Sequence, residues 1–221
     1  MVLMEMFMKT NQLGRSMVEM LGVLAIIGVL SVGSIAGYSN AMLKYKLNKQ
    51  AEQLNQVVNT MARFAHSFAE FTEIENIMPY LIKMGEIPKE MIKSQNSTYI
   101  YDVFKTGMRA QVQPATTANE GAVKGVSVLY ISPELHKKSN TNLEICKNIL
   151  VTLKENSSNI YYAYSSTGYG SNDARRGLYY GDSYCTTQTC LKDLTIEKIY
   201  QDCAMHAGNP NSGGITVLWK L

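Results

Sequence analysis

Residues 20–43 carry no charged side chain, and one carboxylate, Glu19, stands directly before them. A bilayer-spanning helix needs about 20 apolar residues, so Met20–Leu43 is long enough. It holds no proline, and its glycines (Gly22, Gly28, Gly33 and Gly37) are of a kind that membrane helices tolerate and that lets neighbouring helices approach closely. Lys9 and Arg15 precede the run and the next charge is Lys44. The positive-inside rule then leaves the N-terminus cytoplasmic and sends the rest outward. Glu19 is the anomaly. An isolated charge inside hydrocarbon costs roughly 2.5–3.5 kcal/mol on insertion scales, so such a residue has a partner or a task.

Three readings compete for this segment. A secretory signal peptide would end near Ser34-Ile35-Ala36 or Ser39-Asn40-Ala41. Its apolar region would normally run about 7–15 residues, shorter than this one, and Glu19 would have no purpose. The second reading is a plain uncleaved anchor. The third reading rests on Gly14-Arg15-Ser16-Met17-Val18-Glu19 followed by Met20-Leu21-Gly22-Val23-Leu24-Ala25-Ile26-Ile27-Gly28-Val29-Leu30. This stretch resembles the processing motif of type IV pilins and type II secretion pseudopilins. The resemblance implies cleavage by a prepilin peptidase between Gly14 and Arg15, with Arg15 as the candidate N-methylated N-terminus. Glu19 would be the fifth mature residue, the position of the family's assembly glutamate. The family usually has an apolar first mature residue and often a proline within the run; this chain has Arg15 and no proline there. Met1, Met4, Met6 and Met8 are alternative starts, and Met8 would give the short basic leader MKTNQLG.

The helical pattern continues past the apolar run. Leu47, Ala51, Leu54, Val58, Met61, Ala65 and Phe68 alternate by four and three, with Val57, Phe64 and Phe71 widening the stripe. Asn48, Lys49, Gln50, Glu52, Gln53, Asn55, Gln56, Asn59 and Arg63 form the expected polar face. One helix from about Ser16 to about Phe71 would be roughly 80 Å long. Its weak point is Gly33–Gly37, since Gly costs about 1 kcal/mol against Ala. The stripe suits a coiled-coil stalk or packing on a sheet of the same chain, and the strand-like segments that follow favour the sheet.

Residues 73–93 read as a turn or two of helix broken at Pro79 and at Gly85-Glu86-Ile87-Pro88. Strands are expected at Thr98–Phe104, Met108–Gln113, Gly125–Ile131, Asn159–Ser165, Gly177–Tyr184 and Ile215–Leu221, with a loop over Ser166–Arg176 and a turn over Asn209–Gly214. Thr141-Asn142-Leu143-Glu144 fits a capping box opening a helix to about Lys154, with Cys146 facing inward. Asp193 to about Cys203 reads as a further short helix. The 46% hydrophobic content predicts a folded bulk, and a net charge of +3 with scattered basic residues gives no case for nucleic-acid binding.

The four cysteines, Cys146, Cys185, Cys190 and Cys203, follow an export-like segment, which favours disulfides; three connectivities are open. The rival is a zinc site from Cys185, Cys190, Cys203 and His206. No Ser-His-Asp set, phosphate loop or acid pair stands out, so no enzyme activity and no cofactor are expected; His66 on the long helix and His136 in a loop stand alone. Tyr161, Tyr162, Tyr164, Tyr169, Tyr179, Tyr180 and Tyr184 read either as half-buried strand residues or as a contact surface.

The segment Met84-Gly85-Glu86-Ile87-Pro88-Lys89-Glu90-Met91 resembles the Gly-x-Ile-Pro-x-x-Met segment of the type IVb pilins. A helical cysteine after a strand ending near Pro133, and a late cysteine before the terminal strand, are also similar to that group. The resemblance implies an α+β pilin fold, with the long helix packed on a mainly antiparallel sheet and a disulfide-stapled C-terminal region. A Cys146–Cys203 bridge would be similar to the pilin staple, leaving Cys185–Cys190 to close a small loop. The implied organisation is a leader at 1–14, a filament-core or transmembrane helix at 15–43, its amphipathic continuation at 44–72 and a head at 73–221. The implied function is a structural subunit of an extracellular pilus-like filament, a homo-oligomer polymerised through the apolar helix. The implied partners are the peptidase, an assembly ATPase, a platform protein and, before assembly, the bacterial inner membrane. A type II secretion pseudopilin, or an anchored extracytoplasmic ligand-binding domain that never polymerises, are the alternatives.

Overall fold

The first described element is a helix, α1 (Met17–Phe64), in a computed structural model describing residues 17–68, 70–113, 125–133, 139–167, 175–186, 189–206 and 212–220. The leader 1–14, Gly14, Arg15, Ser16, His136, Tyr169, the turn residues 209–211 and Leu221 lie outside these residues. Helix runs unbroken through Gly33–Gly37. It ends seven residues before Phe71, earlier than the periodicity implies. A 3₁₀ turn, Ala65–Phe68, takes over and buries both Ala65 and Phe68. The Phe71 amide donates to the Phe68 carbonyl, and the Phe71 ring meets Phe68 and Tyr80 with centroids 5.9 and 6.1 Å apart. Closing that aromatic corner takes a tighter turn than an α-helix makes.

The described chain divides into two compact units between Leu43 and Lys44. In the second, α1 buries Leu54, Val57, Val58 and Met61. The stripe is wider than a heptad seam. Gln50, Gln53 and Thr60 are buried too, at 0, 4 and 3% exposure, so the polar face read from the sequence loses two of its glutamines to the interior.

The rest of this unit is α+β. Among the described residues seven strands make one sheet in the order β1-β3-β4-β7-β5-β6, with β2 also on β3. They are β1 (Glu75–Asn76), β2 (Ile100–Tyr101), β3 (Gly107–Gln113), β4 (Val126–Ser132), β5 (Tyr162–Thr167), β6 (Arg175–Tyr180) and β7 (Ser212–Lys220). All named pairings are antiparallel. The terminal strand β7 lies centrally, between β4 and β5. Helices α2 (Met78–Lys83), α3 (Asn140–Glu155) and α4 (Ile196–His206) complete the unit. Leu54, Met61, Ile77, Leu81, Met108, Leu129, Ile131, Ile149 and Leu153 form one core with Val217 and Trp219. Burying each such side chain is worth about 1.5–3 kcal/mol.

Several expected boundaries move, each for a local reason. The Thr98–Phe104 strand shrinks to Ile100–Tyr101, because Asp102 turns the chain: the Lys105 amide donates to the Asp102 carbonyl, and Lys105 takes a positive φ of 65°. Thr141 does not cap α3. Ser139 does, in extended conformation, its hydroxyl accepting from the Asn142 amide at 3.0 Å. Asp193 ends a 3₁₀ turn, and α4 starts only after Thr195, whose hydroxyl accepts from the Lys198 amide. Residues 212–214, expected in a turn, belong to β7. Residues 159–161 and 181–184 fall outside β5 and β6; a 3₁₀ turn occupies Ser157–Asn159. The Gly-x-Ile-Pro segment has a direct rationale. Gly85, at φ 76°, ends α2 in a Schellman arrangement, with the Glu86 amide on the Leu81 carbonyl and the Gly85 amide on Ile82.

Candidate functional site

Every side chain from Met17 to Ile35 is exposed, Met17 to 83%, Val29 to 75% and Val32 to 71%. A helix apolar all round normally lies in a large core or in a membrane. Here none of that surface is covered by the other described residues. The helix is long and apolar enough to cross a membrane by length and composition. Its hydroxyls carry no cost there: Ser31, Ser34 and Ser39 donate to the carbonyls of Ile27, Leu30 and Ile35 at 2.7, 2.7 and 2.9 Å. A Cβ built on Gly22, Gly28, Gly33 or Gly37 would meet nothing within 4 Å, so no packing inside the chain calls for a glycine at these positions. Glu19 lies in the first turn of α1, where the positive end of the helix dipole favours a carboxylate. Gly14 and Arg15, the expected cleavage pair, lie outside the described residues.

The second feature is a polar junction that fixes α1 to the head, and sequence reasoning missed it. Gln50, fully buried, donates to Asp102 Oδ2 at 2.6 Å and accepts from Asn148 Nδ2 at 3.0 Å. Asn148 Nδ2 also reaches the Leu47 carbonyl at 2.9 Å. Asp102 Oδ1 accepts the amides of Phe104 and Thr106 at 2.8 and 2.7 Å. Gln53 Oε1 accepts the Val103 amide at 3.0 Å. Three elements remote in sequence thus share one satisfied network at low exposure. Beside it, Lys49 bridges Glu52 and Glu90, each at 3.2 Å. The Glu90 carboxyl is held below its ordinary range by its own backbone amide and by Lys49, and those carboxylates hold the Lys49 ammonium above its own. The only advance signal was chemical: an Asp-Val-Phe-Lys-Thr stretch suits a turn closed by its aspartate.

The C-terminal region is held by covalent bonds and by a buried pair. Cys146 is bonded to Cys203 and Cys185 to Cys190. Disulfide sulfurs at 185, 190 and 203 leave no thiolates for the alternative zinc set. Tyr179 and Asp202, each 2% exposed, are hydrogen-bonded, and Lys198 completes the group at 2.9 Å from Asp202 Oδ1. Burial, and then Asp202, push the Tyr179 hydroxyl well above its ordinary range.

The tyrosines gather on the sheet. Tyr161, Tyr162, Tyr180 and Tyr184 make ring contacts with centroids 4.6–6.4 Å apart, over a small cluster of Val128, Tyr162 and Leu218. Tyr162 is buried, Tyr161, Tyr164 and Tyr180 are half-buried, and Tyr184 is 39% exposed. His66 lies exposed in the 3₁₀ turn after α1. A shallow polar cleft lined by Gln56, Asn59, Thr60, Arg63, Gly85 and Glu86 borders α1, and its one cation, Arg63, is already paired with Glu86. No family model and no curated protein matches the chain.

Proposed function

We propose that this chain is a structural subunit of a type IV pilus-like filament, held in the inner membrane by its apolar helix before assembly and packed through that helix afterwards. The observation that carries the reading is the uncovered apolar face of α1 from Met17 to Ile35, with a carboxylate in its first turn. Such a surface requires lipid or other helices, and in either a carboxylate gains from a neighbouring cation. Cleavage after Gly14 would supply one: the new amine of a neighbouring copy, with the guanidinium of Arg15 beside it as a second. An α+β arrangement with a long N-terminal helix and a Cys146–Cys203 disulfide is compatible with a pilin fold. Under this reading the peptidase, assembly ATPase and platform protein are the cellular partners, and no residue has a catalytic role.

The test is Glu19→Ala in a strain that assembles the wild-type chain. The expected result is loss of filaments with the protein still in the membrane, its disulfides formed and its head protease-resistant. Wild-type filament yield from the variant overturns the role of Glu19, and a chain never recovered in any assembly favours the non-polymerising anchored domain. Loss of protein export, rather than of surface fibres, on deletion of the chain would assign it to the pseudopilins.

A further inference from the structure

Basic residues that look scattered in the sequence are gathered by the fold at one end of the head. Lys44 and Lys46 follow the apolar segment directly, and Lys49 is less than a turn beyond. The Lys49–Glu90 ion pair brings the turn carrying Lys89 alongside this stretch of α1. The Gln50–Asp102 and Gln53–Val103 hydrogen bonds bring the turn carrying Lys105 there as well. Lys93 lies over the Tyr101 ring at 3.8 Å, next to that turn. Three lysines of α1 (Lys44, Lys46 and Lys49) and three on the turns beside it (Lys89, Lys93 and Lys105) therefore gather along the stretch of α1 that follows Leu43. Against them stand Glu52 and Glu90, both engaged by Lys49, and Asp102, buried among its three donors. The neighbouring face of α3 is neutral, with Glu144 on Lys147. The exposed carboxylates Glu70 and Glu73 lie beyond the far end of α1.

We propose that this lysine collar docks on anionic phospholipid headgroups at the membrane surface where the apolar helix emerges. Helix geometry sets the reach: residues 49–53 are about 8–14 Å along the axis from Lys44, the first residue of the second unit. That is close to one Debye length, about 8 Å at physiological salt, plus the span of a lysine side chain. Tyr38 and Tyr45, 66 and 64% exposed, flank the boundary as interfacial aromatics do. The collar also has a cost that calls for a reason. Lysines just past a span oppose the orientation set by Lys9 and Arg15 under the positive-inside rule. Attraction to anionic headgroups offsets that cost and holds the head against the bilayer until assembly withdraws it. The inference rests on the membrane-anchored stage of the proposed function, not on polymerisation.

The experiment is lysine acetylation of the full chain in nanodiscs, read peptide by peptide by mass spectrometry. Zwitterionic discs are compared with discs holding about 30 mol% phosphatidylglycerol, a surface charge in the range of natural anionic membranes. Lys44, Lys46, Lys89 and Lys105 should label at least about threefold more slowly in the anionic discs, with exposed Lys83 and Lys192 unchanged as internal controls. Molar salt, which shortens the Debye length to about 3 Å, should erase the difference. Equal labelling in both discs overturns the collar alone. Protection that follows protein concentration instead of lipid charge also overturns it, and assigns the lysines to a second copy. A chain that never inserts sinks the membrane stage itself together with the collar.

Discussion

Replacing Asp102 tests whether the buried junction, rather than the apolar stripe alone, sets how α1 sits on the head. Asp102 accepts from Gln50 Nε2 at 2.6 Å and from the Phe104 and Thr106 amides at 2.8 and 2.7 Å, at 6% exposure. Asp102→Asn keeps an oxygen for the two amides but turns an NH₂ toward the NH₂ of Gln50. Gln50 cannot flip freely, because its carbonyl holds Asn148 at 3.0 Å. Either two donors face each other or the α3 contact is lost. A hydrogen bond to a charged group is worth about 1.5–3 kcal/mol, so the cost should be about 2 kcal/mol. Asp102→Ala strands all three donors, at about 1–3 kcal/mol each before relaxation, for a total near 4 kcal/mol. A unit of this size loses about 2–4 °C per kcal/mol. Thermal unfolding of the full chain in detergent micelles, followed by circular dichroism, should therefore fall by about 4–8 °C for the asparagine variant and by roughly twice that for alanine. In a double-mutant cycle with Gln50→Ala the two sites should couple by more than about 1 kcal/mol. A midpoint shift under about 1 °C with zero coupling would show that the network is incidental and that packing alone holds the helix.

The two disulfides should differ in weight. Cys146–Cys203 spans 57 residues and Cys185–Cys190 spans 5, so loop entropy assigns about 4 kcal/mol to the first and about 2 kcal/mol to the second; paired Cys→Ala variants in chemical denaturation check the order, and equal losses would contradict it. The raised Tyr179 hydroxyl fixes a sign with pH. The folded state favours its neutral form, so its contribution is fully present below the unfolded value near 10 and is lost as pH rises above it. Melting curves against pH should show a steep alkaline limb that Tyr179→Phe flattens, and an unchanged limb would remove the assignment. Gly181→Ala should destabilise severely, because its Cβ would sit 1.8 Å from the Ile160 carbonyl oxygen; a variant melting like wild type would show that this backbone can part.

The long helix was legible except for its C-terminal end, which comes at Phe64 rather than Phe71, because its signals are local: an uninterrupted apolar run, then a period near 3.5, with no proline before Pro79. Six of the seven described strands were legible in position, β1 at Glu75–Asn76 being read as part of a helical stretch, but element limits were not: Ser139 and Thr195 set the starts of α3 and α4 by accepting backbone amides, and Asp102 ends β2 by turning the chain. Disulfide formation by the cysteines was legible from an export-like segment, whereas their pairing and the packing of helix on sheet came only from the family resemblance. Gln50 and Gln53 could not have been placed inside from sequence. A buried amide differs from a solvated one only by its partners, and Asp102 and Asn148 lie about 50 and 100 positions away. The central place of β7 is of the same kind, because strand order depends on long-range pairing that no local period encodes.

The lysines make the division plainest. By itself the sequence determined an apolar helix with a carboxylate at its head, since hydrocarbon length and the cost of a charge are properties of consecutive residues. It left Lys44, Lys46, Lys49, Lys89, Lys93 and Lys105 as unrelated surface charges. Only the tertiary structure collects them, because the ion pair at Glu90 and the hydrogen bonds at Asp102 and Val103 bring two distant turns onto one stretch of α1. Electrostatic potential depends on distance in space, and that distance is what folding decides.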